Sequence, residues 1–323
     1  MDYPRIAAEL LRALRGKRSQ EAIARRLGVR SHAIYTWESA RNFPTAARAL
    51  WAAERSGIDV GAALARFYTR APAWLAEIDP SSPAAVARLL DDLRGGSSIV
   101  ALSRATGFSR FAVARWLKGE AQPRLPEFLA LIEGASLRLL DFLACLVDPQ
   151  ALPSVATAYR DLEATRRAAY DAPWSHAVLR ALELVDYQKL RKHRPGWLAE
   201  RLGIPKEEEE KCLAALATAR QIKLDNGLWT VDQTQTIDTR AEPARGRRLK
   251  AEWSKVALSR LEAGVKGVFS FNLMSISRAD LARLREMHVA YFREMQALVA
   301  DSTPSEHVVL FNTELFALDE AAG

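Results

Sequence analysis

Residues 19–44 read SQEAIARRLGVRSHAIYTWESARNFP. Ser19 stands where a helix needs an N-cap, and Ile23 and Leu27 follow at the four-residue spacing of one helix face. Ala24 is small enough for a second helix to cross closely, and Gly28 permits the positive φ of a tight inter-helix turn. Val29, Ile34 and Trp37 then supply the apolar positions of the next helix, so this stretch reads as helix, turn, helix around one small core. The large aromatic Trp37, at helical spacing, reads as a core residue.

The same pattern recurs 79 positions later, as SIVALSRATGFSRFAVARWLKGEAQP over residues 98–123. The register holds without a gap from Ala8/Ala87 and Leu10/Leu89 through Gly16/Gly95, Ser19/Ser98, Gly28/Gly107 and Trp37/Trp116 to Pro44/Pro123. An ungapped repeat of that length is an internal duplication. In the second copy Leu102, Gly107, Phe108, Val113 and Trp116 hold the core and turn positions, while Ile99 replaces Gln20 and Leu117 replaces Glu38. Each copy continues into amphipathic helical stretches, residues 45–68 and 125–146. The proline-bearing segment 71–83 connects the copies.

Charge follows the same division. Residues 1–44 carry nine Lys/Arg against four Asp/Glu, residues 81–124 carry seven against three, and the rest of a chain of net charge +7 sums to −2. The intervening residues 45–80 balance at four and four. A basic excess confined to the two repeated segments is a footprint for a polyanion.

The first copy resembles the Cro-repressor class of helix-turn-helix, the xenobiotic-response-element family. Ser19, Gln20, Ile23, Ala24, Leu27, Gly28, Val29, Trp37, Glu38 and Pro44 match its pattern, and Ala40 departs from it where that family carries Gly. The resemblance implies a third helix lying in the DNA major groove, which assigns base contacts to Ser31, His32 and Thr36, with Arg30 and Tyr35 flanking. It implies phosphate contacts from Gln20, Arg41 and Asn42. His32 also has the plain reading of a solvated surface histidine. By the repeat register Ser109, Arg110, Phe111 and Arg115 take the groove-facing places of the second copy, with Arg104, Lys118 and Arg124 toward phosphate. Arginine grips guanine or simply holds phosphate, and Phe111 offers a ring to a thymine methyl. The alternative for the second copy is a degenerate scaffold.

Beyond Trp174 the pattern changes. A helix over 175–184, the segment PGWLAERLGI at 195–204, a helix over 206–220 and a hairpin turned at Asn226-Gly227 make a winged-helix order. Its second helix opens on Lys206-Glu207-Glu208-Glu209-Glu210, and four carboxylates there would repel phosphate, so this segment reads as structural or partner-binding. A polar stretch over 239–250 holds Arg245, Arg247 and Arg248, read as a mobile basic loop ahead of an arginine arm for the minor groove. A helix, a strand-like run at 267–276, a long helix over 278–299 and a strand-like run at 307–318 close the chain as a small α/β unit. The stripe Leu281, Leu284, Met287, Tyr291, Met295 and Leu298 reads as core. The ending Asn312, Leu315, Phe316 and Leu318, after a β-run, resembles an uncharacterised C-terminal domain found on bacterial helix-turn-helix regulators. That likeness covers roughly residues 174–319 and implies a regulator without naming a ligand.

The expected organisation is therefore mainly α: helix-turn-helix domains over 1–70 and 84–148, a connector at 71–83, a helical linker at 149–173, a winged-helix-like segment at 174–238 and a small α/β domain at 239–323. Cys145 and Cys212 are too few for a disulfide framework or zinc cluster, the start MDYPRIAAELL lacks a signal-peptide pattern, and charges interrupt the most apolar stretch, 125–147. These features predict a cytosolic protein with no membrane partner. No phosphate-binding loop, nucleophile elbow or paired-histidine helix occurs, and the five histidines are scattered. The expectation is a DNA-binding transcription regulator, most simply a repressor, that is not an enzyme and has no cofactor or metal. Double-stranded DNA is the expected partner, joined by a second copy through the C-terminal region and by a protein, peptide or small-molecule effector. The competing expectation is an antitoxin-like or signal-sensing protein that holds a partner and binds DNA only secondarily.

Overall fold

In the computed structural model, residues 1–68, 71–95, 97–232 and 242–319 are described. Helices dominate, and the chain divides into two compact units, Met1–Arg160 and Asp161–Gly323, each with its own hydrophobic core.

The first unit contains five helices twice over. They are α1 (Tyr3–Arg15), α2 (Gln20–Arg26), α3 (Ser31–Glu38), α4 (Ala46–Ser56) and α5 (Val60–Phe67), then α6 (Pro83–Arg94), α7 (Ile99–Thr106), α8 (Arg110–Leu117), α9 (Leu125–Ser136) and α10 (Leu139–Leu146). The duplication read from sequence is thus kept element for element. Local chemistry repeats with it: Ser19 Oγ accepts from Ala22 N and Ser98 Oγ from Ala101 N, both at 3.1 Å. Gly28 and Gly107 turn at φ +57 and +75.

The copies do not fold as separate beads, since one continuous core runs through both of them and the connector. Trp74 of the connector is buried, and its indole donates to Asp92 of α6 at 2.6 Å. Helix α1 packs on α9, α6 packs on α4, and α5 packs on α10. Exchanging the copies by the 79-residue register turns the α1–α9 pairing into the α6–α4 pairing and leaves α5–α10 unchanged, the signature of a pseudo-two-fold axis.

The second unit, entered along α11 (Ala156–Asp171), holds α12 (Ser175–Leu182), α13 (Val185–Gln188), α14 (Trp197–Leu202), α15 (Lys206–Thr218) and an antiparallel pair β1 (Ile222–Asp225) and β2 (Leu228–Val231). Asn226 and Gly227 turn the hairpin at φ +50 and +82, the two left-handed residues that this turn requires. Fully buried Tyr187 anchors it: the phenol accepts from Trp229 N at 3.3 Å and meets His193 Nδ1 at 3.1 Å. Burial pushes the Tyr187 phenol up to about 12.

Four expectations for this unit need correction. Glu209 does not face outward with its neighbours; it is fully buried, accepts from Gly196 N and Ala199 N at the start of α14, and lies 3.5 Å from His193. Unpaired amides at a helix start are strong enough donors to hold a carboxylate inside. Arg245, Arg247 and Arg248 are on no loop, because α16 runs from Pro243 to Glu262. Arg245 pairs with Asp171 at 2.7 Å and stacks over the Tyr170 ring, so it is no arm either. The part of that expected loop at 239–241 lies outside the described residues, as does the boundary expected at 238/239.

The last two corrections concern the chain end. The long helix is present as α17 (Arg278–Ala300), but the stripe is not core: Met287, Tyr291 and Leu298 are 58%, 51% and 73% exposed. The runs 267–276 and 307–318 join no ladder, so the expected small α/β sheet is not formed among the described residues. A strand forms only against another strand, and every residue from 261 to 280 is exposed.

Candidate nucleic-acid interface

The N-terminal unit presents α3 and α8 at equivalent positions of the two copies. In the first, Ile34 and Trp37 point into the core at 4% and 9% exposure, which turns the opposite face outward. Arg30, Ser31, His32 and Tyr35 are exposed there, and Thr36 is half-buried with its hydroxyl donating to Ala33 O at 2.8 Å. His32 and Tyr35 lie with ring centroids 6.2 Å apart, and the Arg41 guanidinium stands 5.4 Å over the Tyr35 ring. The three side chains form one continuous strip.

In the second copy Ser109 caps α8 by accepting from Ala112 N, and Val113 and Trp116 are buried. Arg110, Phe111 and Arg115 are exposed, Phe111 to 80%. Arg104 and Lys118 are exposed as well, the latter 3.9 Å from Glu120. An exposed ring with arginines beside it in the sequence offers a face on which a base could stack.

The residues expected at phosphate are all exposed except half-buried Gln20, but Gln20, Asn42 and Arg124 also spend side-chain hydrogen bonds within the fold. Gln20 donates its side-chain amide to Glu38 at 2.8 Å. Glu38, buried to 6% exposure, also takes both arms of Arg15, and its carbonyl accepts from Arg12 at 2.8 Å. The second copy replaces this polar knot as a set: Ile99 and Leu117 pack against the core, and Arg94 turns to Asp91 at 2.6 Å. Position by position, two partners that need each other were exchanged for two that need neither.

Arg124 and Asn42 carry a contact that sequence reasoning missed. Ala46 N donates to Pro123 O and Leu125 N donates to Pro44 O, both at 2.9 Å, with Thr45 and Arg124 bridged between them. These residues are equivalents across the repeat, so the pseudo-two-fold axis passes through this pair of hydrogen bonds. Arg124 adds bonds to Asn42 Oδ1 and Phe43 O. The recurrence of proline at 44 and 123, each followed by an extended residue that caps the next helix, was the signal available.

The exit of α3 is strained. Ala40 adopts φ +58, and its equivalent Gly119 adopts φ +72. The turn therefore demands the left-handed conformation in both copies and has the suitable residue in only one.

Among the described residues there is no group of three or more His, Cys, Asp or Glu able to hold a metal ion, and no helix is long and apolar enough to cross a membrane. Compared with known proteins, residues 156–318 match a family described as a domain of unknown function (DUF4423). No curated protein and no solved structure matches the chain.

Proposed function

The chain belongs to the DUF4423 family, whose domain occupies its C-terminal half and leaves the duplicated N-terminal unit to carry chemistry, and we propose that it is a sequence-specific, double-stranded-DNA-binding transcription regulator. Each copy is a Cro-like helix-turn-helix head. Ser31, His32, Tyr35 and Thr36 read base edges in the first head, with Arg30 beside them. Arg110, Phe111 and Arg115 read them in the second, from the cap at Ser109. Arg41, Arg104 and Lys118 hold phosphate, which sets register without reading sequence. Gln20, Asn42 and Arg124 keep the heads in shape and add to the phosphate contacts through the hydrogen-bonding capacity that the fold leaves them. The winged-helix-like segment of the second unit serves structure, and repression by occluding a promoter is the simplest mechanism.

The reciprocal pair of hydrogen bonds about Thr45 and Arg124 supports this reading best. Simple helix-turn-helix proteins reach two half-sites by dimerising, with the heads about 34 Å apart. Here the duplication supplies the second head in the same polypeptide, fixed to the first by backbone bonds and a shared core. Tethering raises the effective concentration of the second head at its half-site, so affinity for a matched site exceeds that of either head by orders of magnitude.

Selection from a randomised duplex library, followed by mobility shifts across salt, tests the proposal. It requires a bipartite enriched site, binding at nanomolar scale, and affinity that falls steeply with log salt. Enrichment of no motif, with micromolar binding alike on all duplexes, would sink it.

A further inference from the structure

Twenty of the 26 large hydrophobic side chains that are exposed among the described residues fall between Leu258 and Leu318. Together they leave on the order of 1,500 Å² of apolar surface in water. Monomers rarely expose a patch beyond a few hundred Å², whereas a standard interface covers about 800 Å² per partner and obligate homodimers more. We propose that residues 261–318 are the contact surface between two copies of this chain, closed by strand pairing between the copies.

The kind of occupant follows from the composition of the surface. Gly267–Ser277 contains no charged residue, and residues 307–318 contain only Glu314 as a full charge. Such runs offer nothing to a polyanion or to a strongly charged peptide. They are rich in β-favouring and aromatic residues, as in Val268, Phe269, Phe271 and Ile276, and they present backbone N–H and C=O groups with no ladder among the described residues. The occupant must bring strand edges and an equal apolar area. A second copy brings both, and a two-fold interface built from one surface used twice is the commonest way proteins associate.

The surface is also held ready. Ser305 O accepts from Val185 N at 2.9 Å and Glu306 O accepts from Arg201 at 3.2 Å, which pins the start of the second run to the body of its unit. Asn312 and Glu314 bond Ser254 of α16, and the Phe311 ring lies 5.6 Å from that of Tyr291 on α17. The first run is exposed along its whole length, and α17 adds exposed Met287, Tyr291 and Leu298.

Sedimentation velocity of the full chain at about 10 µM, without DNA and in high salt, reads the outcome independently of any DNA reading. The expected result is one species at twice 35.9 kDa. Phe271→Glu combined with Phe316→Glu should halve that mass while far-ultraviolet dichroism keeps its helical signal. Hydrogen exchange on the unaltered chain decides the matter if that variant does not fold: the amides of 268–276 and 309–317 should be protected. A 35.9 kDa monomer, a polydisperse series of multimers, a folded variant that remains dimeric, or amides in both runs that exchange at free-coil rates would each overturn the proposal.

Discussion

Ala40 pays for its place: the left-handed region costs a residue with a Cβ about 1–2 kcal/mol, and glycine removes that cost at some expense in chain entropy. Ala40→Gly should therefore raise the stability of the N-terminal unit by about 1 kcal/mol, read from the urea midpoint, with DNA preference unchanged. Gly119→Ala should move it the other way by a similar amount, because its φ of +72 is equally hostile to a side chain. The residues proposed to face the groove make a different kind of prediction. His32→Ala should relax preference at one position of the selected site by about 1–3 kcal/mol, whereas Arg41→Ala should weaken binding to all duplexes alike. If the His32 variant enriches the parental motif unaltered, the strip formed by His32, Tyr35 and Arg41 does not read bases. Thr36 should matter less than His32, since its hydroxyl proton is already given to Ala33 O.

Helix starts in the second unit show how one buried carboxylate organises three elements. Glu209 on α15 holds the first amides of α14 and faces His193, which in turn touches Tyr187 and, through its backbone N, Gly227 O of the hairpin turn. Glu209→Gln leaves one oxygen where two amides need acceptors, and should cost the unit about 2–3 kcal/mol in a denaturant titration. Burial lowers the affinity of His193 and His176 for protons, with Glu209 opposing it at His193 and Arg180 reinforcing it at His176. The unfolded chain then binds more protons than the folded one as pH falls through the ordinary histidine value of 6.5. Stability present above that pH is lost below it. Urea midpoints at pH 7.5 and 5.5 should show the drop, and His193→Gln should make it shallower. These elements were largely legible in sequence: the Asn226-Gly227 turn and the α15 periodicity both announce themselves locally. The start of α16 was legible too, in Pro243 at the first turn of a helix, but the density of arginines behind it suggested a loop.

The two fused copies make the N-terminal unit a pseudo-dimer in one chain, and if they are the DNA-reading heads proposed above, they should act together on DNA. Arg110→Ala with Arg115→Ala should shorten the nuclease footprint to one half-site and flatten the dependence of log affinity on log salt by about two contacts' worth. His32→Ala should leave the second half of the footprint in place. An unaltered footprint and slope in the double arginine variant would reduce α6–α10 to a scaffold. Two copies of the chain joined through residues 261–318 would carry four heads, which suits paired operator sites on one DNA molecule.

The repeat, its caps, its turns and most of its buried positions were determined by the sequence alone, because Ser19 and Ser98, Gly28 and Gly107, and Trp37 and Trp116 act through neighbours three to five residues away. Candidate groove residues followed from the same local logic, since a helix with Ile34 and Trp37 inward must turn Ser31, His32 and Tyr35 outward. What only the tertiary structure decided lies between distant residues. The bonds about Thr45 and Arg124 join Ala46 to Pro123 and Leu125 to Pro44, residues far apart in the chain. The exchange of the Glu38 knot for Ile99 and Leu117 makes sense only once their packing is seen. Residues 267–276 and 307–318 mark the limit most clearly. Their β-favouring apolar residues say that a run is to be buried against another strand, but hydrophobic burial has no direction and strand pairing needs a second edge, so neither can say which chain provides it.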